Sequence, residues 1–271
     1  MSKVKLVREQ QDNRSDLLTV VIHIRDRWGP RVRNCFRSLE LQTVKEFDII
    51  VSDYGSTLVN HKKLLETLKP FDCTIYYYPT DEIWSRPVAS NIGIRRSKTK
   101  FVATLDVDVM LEIKVLETTL ECFEKNPDSF VISTVCSLPN KGVNFLNKIK
   151  LPEDYEEFRR ICRYKWSCTG VFASALRDWW FKVRGYDERM KVWGSADTDI
   201  RDRARKSISL VYLQSLSLPE TMFFHQWHPL SRDVWQEKIG EKEFYRHNSR
   251  NKYFRFHSSS IIRNDENWGV M

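Results

Sequence analysis

Five short apolar runs, each followed by a segment of helical periodicity or a turn, restrict the fold of this chain more than any other feature. The first, residues 17–24 (LLTVVIHI), is β-branched and apolar, as suits a strand buried on both faces, and residues 33–42 then carry Cys35, Phe36, Leu39 and Leu41 at mainly helical spacing. The alternation continues with strands at 47–51, 73–78, 101–105 and 129–135 and helices at 62–68, 90–96 and 115–125. Such alternation predicts an α/β sandwich, Rossmann-like, with a mostly parallel central sheet. Sheets of this kind bind ligands at the carboxyl ends of their strands, and those ends hold Arg25, Asp53, Asp106 and Asp108.

Residues 137–165 are irregular and charged, with Pro139, Gly142, Pro152 and a helix candidate at 153–163, and read as an insertion beside the sheet. From Trp166 onward aromatics are frequent and regular structure returns: a strand near 171–173, helices at 175–182 and from about Thr198, and strands at 210–213 and 220–224. The segment after Pro229 mixes charge with Trp235, Phe244, Tyr245, Tyr253, Phe254 and Phe256, which predicts a helix packed on the body followed by an exposed end.

With 271 residues, 41% of them hydrophobic, the chain can fill one substantial core, which excludes a disordered or fibrous protein. No apolar run approaches the roughly 18 residues of a membrane span, and the polar first sixteen residues lack a signal-peptide core, so the expected location is the cytosol, with no transmembrane segment. Six cysteines without a C-x-x-C pair point to neither a disulfide framework nor a cysteine zinc site, and are expected to be reduced and mostly buried. The net charge of +8 favours polyanionic partners: nucleotide diphosphates, nucleic acid or an anionic lipid surface with peripheral association. Charge does not choose among them.

Asp106-Val107-Asp108 ends an otherwise hydrophobic segment. Burying carboxylates costs several kcal/mol unless a cation or hydrogen bonds compensate, on the order of the penalties for unpaired buried charge. Residues i and i+2 of an extended segment point the same way, so both side chains can face one divalent ion and its phosphate ligands. A bare D-x-D also describes an ordinary polar loop after a strand, and its neighbours must decide.

Those neighbours carry a resemblance. Residues 86–94 (RPVASNIGI), followed ten residues later by Leu105-Asp106-Val107-Asp108, resemble the nucleotide-sugar-binding half of glycosyltransferase family 2 enzymes with the GT-A fold. Residues 19–27 (TVVIHIRDR) are similar to the first strand of the chondroitin polymerase and β-1,4-galactosyltransferase branch, which an arginine-bearing motif ends. Residues 38–42 (SLELQ) and 49–56 (IIVSDYGS) resemble the family's S-L-x-x-Q and D-x-G-S elements. Residues 183–188 (VRGYDE) and 193–199 (WGSADTD) resemble its acceptor-side G-G-[FY]-D-E and W-G-x-E-D-x-D elements. The likeness spans about residues 17–230. It implies a GT-A domain there, with a nucleotide-sugar half at 17–136 and an acceptor half at 137–230, between an N-terminal extension (1–16) and a helical, aromatic C-terminal extension (231–271).

The resemblance further implies an inverting, metal-dependent transfer from a UDP-sugar to a hydroxyl acceptor, with Mn²⁺ or Mg²⁺ as cofactor and a growing polysaccharide or surface glycan as acceptor. Asp197 takes the general-base position, and Asp108 with one late histidine the metal. Asp106 falls to the ribose or a metal-bound water. Asp53 is placed to hydrogen-bond the uracil or ribose, though an Asx turn beside Gly55 explains it equally well without the other motifs. Arg25, Arg27 and Arg86 suit a diphosphate, because guanidinium matches phosphate geometry; Asn91 joins the same donor-binding set. Trp193, Gly194 and Asp187 fall on the acceptor side, with Trp193 stacking a sugar and Trp179 and Trp180 in the core. His225, directly after an apolar strand, is the preferred metal ligand, and His228 is nearly as good. Asp199 is assigned to capping the helix that opens there.

The sequence departs from the family pattern at Ala196, where the family has a glutamate, and at Arg184, where it has a glycine. These departures keep a non-catalytic nucleotide-sugar-binding protein as a rival reading. The basic charge permits a second: sugar transfer to hydroxymethylated bases in DNA.

Overall fold

The apolar runs form the middle of an eight-stranded sheet in the computed structural model, which describes residues 3–12, 15–165, 170–218 and 220–270, with residues 164 and 165 as backbone only. In chain order the elements begin β1 (Lys5–Arg8), β2 (Leu18–Ile24), α1 (Pro30–Glu40), β3 (Asp48–Tyr54), α2 (Leu58–Leu68), β4 (Thr74–Tyr78), α3 (Arg86–Arg96), β5 (Phe101–Asp106), β6 (Val109–Leu111), α4 (Val115–Lys125) and β7 (Ser129–Ile132). There follow β8 (Val135–Ser137), α5 (Gly142–Lys148), α6 (Tyr155–Ile161), β9 (Arg163–Lys165), β10 (Phe172–Leu176), α7 (Arg177–Val183), α8 (Ala196–Arg205), β11 (Ser209–Tyr212), β12 (Phe223–His225), α9 (Ser231–Ile239) and α10 (Glu241–Phe256).

The main sheet has the order β1-β4-β3-β2-β5-β10-β7-β11. β2 pairs in parallel with both β3 and β5, so the chain moves outward on one side through β3 and β4 and then returns to the other side of β2. That reversal opens a crevice beyond the carboxyl ends of β2 and β5. β10 runs antiparallel between β5 and β7, and β1 antiparallel on the edge, so six of the eight strands share one direction and the sheet is mostly parallel, as expected. Every residue of β2 and β3 is buried, which explains their unbroken apolar runs.

α3 shows how local chemistry positions a site residue. The Ser85 side chain accepts the Val88 N–H and caps the helix, and Pro87 sits in the first turn, where its missing N–H has no partner to lose. The helix therefore begins at Arg86, one turn before the predicted residues 90–96, and carries Arg86 at its first position. Gly93 lets it lie against β2, because a Cβ there would overlap the Val21 side chain.

Other expectations are corrected. The strand expected over 129–135 breaks into β7 in the main sheet and β8 in a second, four-stranded sheet of order β6-β12-β8-β9. Residues 137–165 are thus built into that second sheet, with Leu146, Ile149, Tyr155 and Phe158 packed against Met110 and Phe224. Two cysteines expected to be reduced form a disulfide, Cys136–Cys162, because β8 and the end of α6 bring together residues 26 positions apart. Cys35, Cys73 and Cys122 are free and buried, and Cys168 lies outside the described residues.

The exposed end expected beyond the packed C-terminal helix is also corrected. Trp268 is 2% exposed, in a core cluster with Trp179, Trp180 and Tyr186. Arg184, in the left-handed conformation at the end of α7 (φ 56°), donates to the Asn264 carbonyl at 3.1 Å, and Arg96 donates to the Gly269 carbonyl at 2.7 Å. The residue that replaces the family's glycine therefore holds the C-terminal segment. Among the described residues no helix is long and apolar enough to cross a membrane.

Candidate active site

The crevice beyond β2 and β5 is a cleft of about 1090 Å³, lined by Arg25, Arg27, Arg86, Asp106, Asp108, Trp193, Gly194, Asp197, His225 and His228 among others. Its size leaves room for a nucleotide-sized ligand, being slightly above the roughly 300–1,000 Å³ of small-molecule sites. Segments from residues 23 to 251 converge on it.

The register of β2 against β5 sets His23 opposite Asp106. Their side chains meet at 2.8 Å (Nε2 to Oδ1), and Arg86 Nε donates to His23 Nε2 at 3.0 Å while lying 3.2 Å from the same Asp106 oxygen. Burial, together with the Arg86 charge, lowers the His23 pKa below its ordinary value against the opposing pull of Asp106, so the imidazole is neutral near pH 7. Burial alone would raise the Asp106 carboxyl; the Arg86 charge and the close approach of His23 outweigh it and keep it ionised. The remaining Arg86 donors go to the Asp197 carboxylate and the Gly170 carbonyl. A side chain at residue 170 would occupy the place of the Asp197 carboxylate, so the glycine lets that carboxylate sit where it does.

The two sheets deliver a second group. Val109 of β6 is the register partner of His225 in β12, and the Gln226 N–H donates to the Asp108 carbonyl at 2.9 Å, so backbone bonding fixes Asp108 beside residues 225–228. Asp108 Oδ1 lies 3.6 Å from His225 Nε2, and Oδ2 lies 3.3 Å from His228 Nε2. One oxygen and two imidazole nitrogens stand within 4.8 Å of one another, a donor set suited to Mn²⁺ or another borderline divalent ion. Burial would raise the Asp108 pKa, but His225, His228 and Arg27 hold it below the carboxylate range. His228 is raised: burial opposes its charge, and the bond and charge of Asp108 prevail. His225 and His228, the two alternatives expected for the metal ligand, both face the Asp108 carboxylate.

Trp193 is 51% exposed on the cleft wall. Its loop is constrained: Val192 and Ser195 have φ of 64° and 70°, costly for side-chain-bearing residues, as is usual at functional sites. Asn251 of α10 holds it, donating to the carbonyls of Lys191 (2.8 Å), Trp193 (3.2 Å) and Gly194 (3.2 Å). Asp197 follows in the first turn of α8, where the helix dipole favours its negative charge.

Three expected site residues do not reach the cleft. Asp53 is buried, with Oδ2 2.7 Å from His61 Nδ1 and Oδ1 accepting the Ser56 N–H at 3.2 Å. Asn91 clamps the chain at Tyr186, accepting its N–H and donating to its carbonyl, both at 2.8 Å. Asp187 is buried against Arg189 through bonds of 2.9 and 2.7 Å. Asp199 does not cap α8: it is 1% exposed and pairs with Arg203 (2.9 Å) and Arg263 (3.0 Å). His23, Gly170 and Asn251 are the site residues that sequence reasoning missed.

A parallel-based sheet with paired carboxylates beyond one central strand and an acidic helix start across the cleft defines the GT-A class of nucleotide-sugar transferase folds. A solved structure, GalNAc-T7 with UDP, GalNAc and Mn²⁺, shares it with a TM-score of 0.57 at 14% identity, over 79% of this chain and 44% of that one. A sequence profile described as Glycosyl transferase family 2 matches residues 19–180, more than half of the chain, and the protein belongs to that family. The teichoic acid poly(glycerol phosphate) polymerase of Staphylococcus epidermidis is 25% identical over 149 residues, 54% of this chain. The matched region spans only 20% of that polymerase.

Proposed function

We propose that this protein transfers a sugar, with inversion, from a UDP-sugar to a hydroxyl of a growing polysaccharide or surface glycan. The observation that carries the reading is the convergence on one cleft of Asp106, the Asp108-His225-His228 group and Asp197. The UDP and Mn²⁺ of the GalNAc-T7 structure and the polymer named for the staphylococcal relative support donor, ion and acceptor class.

In this reading Asp108, His225 and His228 hold Mn²⁺ or Mg²⁺, which when bound offsets charge on the departing diphosphate. Arg25 and Arg27 approach the diphosphate from the end of β2, and Arg86 from the start of α3. Asp106, kept ionised by His23 and Arg86, accepts from the ribose. Trp193 stacks the acceptor sugar. Asp197 takes the proton from the acceptor hydroxyl as its oxygen attacks the anomeric carbon, and the bond to UDP breaks on the opposite face. Asp53 and Asn91 act from behind the cleft, fixing the loops after β3 and before α8. Ala196, which lines the cleft where the family has a glutamate, leaves room for an acceptor of different shape.

A screen of UDP-, GDP- and TDP-sugars for metal-dependent hydrolysis and thermal stabilisation tests the proposal, because a ligand that binds only the native state raises its apparent stability. Stabilisation by UDP-sugars with Mn²⁺ is expected. Equal response to all three nucleotides, or none with any metal, would reject the UDP assignment.

A further inference from the structure

Behind the Trp193 loop lies a second hollow of about 560 Å³, lined by Trp193, Gly194, Ser195, Thr198, Asn248, Lys252, Arg255 and Phe256. It shares Trp193, Gly194, Ser195 and Thr198 with the catalytic cleft, so the two depressions meet along one loop. The lining has no carboxylate. It offers two cations, two aromatic faces and the polar groups of Asn248, Ser195 and Thr198. Phe256 is exposed, although an apolar side chain of this size is ordinarily covered, and Lys252 is exposed beside it. Asp202 lies next to Arg255 and takes both its Nε and its Nη2 at 2.8 Å, which fixes the guanidinium plane and leaves Lys252 as the charge with no ion pair among the described residues. From Phe244 to Asn264 the chain carries Arg246, Arg250, Lys252, Arg255 and Arg263 and no acidic residue.

We propose that this hollow is a subsite for the acceptor chain, and that it takes an anionic polymer whose units bear phosphate or carboxylate groups. Aromatic faces bind sugar or glycerol carbon surfaces through apolar contact, while Lys252 and Arg255 bind the charge carried between or on those units. The wall shared with the cleft supplies the direction: a chain end presented to Asp197 continues over Trp193 into the hollow. α10 builds both halves of this path with consecutive residues, since Asn251 holds the Trp193 loop and lines the cleft while Lys252 lines the hollow. A neutral glycan would leave Lys252, which has no ion pair among the described residues, without a charged partner, and charge complementarity thus sets the acceptor class.

The inference rests on the glycosyltransferase reading, and the test separates the two. Binding of oligo(glycerol phosphate), an oligouronate and a neutral glucan of equal length is measured by calorimetry on the full chain, native and as Lys252→Glu, Lys252→Ala and Phe256→Ala, alongside UDP with Mn²⁺. Both or one of the anionic oligomers should bind at least tenfold more tightly than the glucan. Lys252→Glu should weaken that binding at least tenfold and Lys252→Ala less, with UDP affinity unchanged in both. The stronger of the two anionic ligands identifies phosphate or carboxylate as the charge. Equal affinity for the glucan, anionic binding indifferent to Lys252→Glu, or UDP binding without any anionic binding would overturn the subsite. Loss of UDP binding in the native protein would instead overturn the donor reading, and the oligomer comparison would still decide the hollow.

Discussion

Arg86 and Asp197, 111 positions apart, are joined by an ion pair inside the cleft, and the same guanidinium reaches Asp106 at 3.2 Å. One arginine thus bridges the carboxylate proposed to hold the donor and the one proposed to activate the acceptor. In the proposed mechanism an arriving diphosphate would compete for it and release Asp197. Arg86→Lys keeps the charge but loses the fork that spans both carboxylates. Initial-rate kinetics should show a drop in kcat of about tenfold or more. A native kcat in Arg86→Lys would mean that the bridge plays no part in turnover.

Asp197→Asn retains size and hydrogen bonding but lacks a useful proton acceptor. Transfer should slow by at least about 10²-fold with donor affinity unchanged. Native-rate transfer would place the base elsewhere. Asp199→Asn is the contrast: breaking a buried ion pair costs roughly 3–5 kcal/mol, so thermal unfolding should shift down markedly while the turnover of the remaining folded protein stays near native.

Asp108→Ala should abolish Mn²⁺ binding in the presence of UDP, measured calorimetrically. Because both histidines face Asp108, His225→Ala and His228→Ala should each weaken that binding at least about tenfold, as much as losing an outer-shell partner does elsewhere. Mn²⁺ affinity that survives either single histidine change would reduce the ligand set to the other.

His23 yields a pH prediction. Its pKa in the folded protein lies below the ordinary 6.5, so between those values the unfolded chain binds a proton that the folded one does not. Stability from this group is therefore full above pH 6.5 and declines as pH falls through 6.5 toward the folded value. The thermal midpoint of the native protein should drop more between pH 7.5 and 5.5, conditions on the order of one unit either side of the histidine value, than that of His23→Gln. Parallel curves would show that His23 titrates alike in both states.

Asn251→Ala removes the donor for three carbonyls of the Trp193 loop. Leaving such groups without partners costs about 1–3 kcal/mol. The acceptor KM should rise more than the donor KM, since the proposed acceptor sugar stacks on that loop. An equal rise in both would indicate a general loosening of the fold.

What the sequence disclosed follows from range. Strands β2 to β5 were legible because burial on both faces writes itself locally as unbroken apolar residues, and Asp106 and Asp108 because carboxylates stand out at the end of such a run. His23 was not: a lone histidine in an apolar strand becomes a site residue only through the β2–β5 register. Asp199 reads locally as a cap, but its partner Arg263 lies 64 positions away. The Cys136–Cys162 pairing, the second sheet and the Asn251 clamp likewise depend on contacts between distant segments. Asp53 and Asn91 were legible as motif members, but their burial behind the cleft was not.

The seating of Trp268 among Trp179, Trp180 and Tyr186 also orders events during synthesis. The strands around β2 can pair as soon as β5 has been made, whereas the face formed by α3, α7 and the aromatic cluster stays open until residue 268 is added. A ribosome-bound chain therefore presents paired central strands and an unsealed apolar flank at the same time, which is the interval in which chaperones and misassembly compete for it.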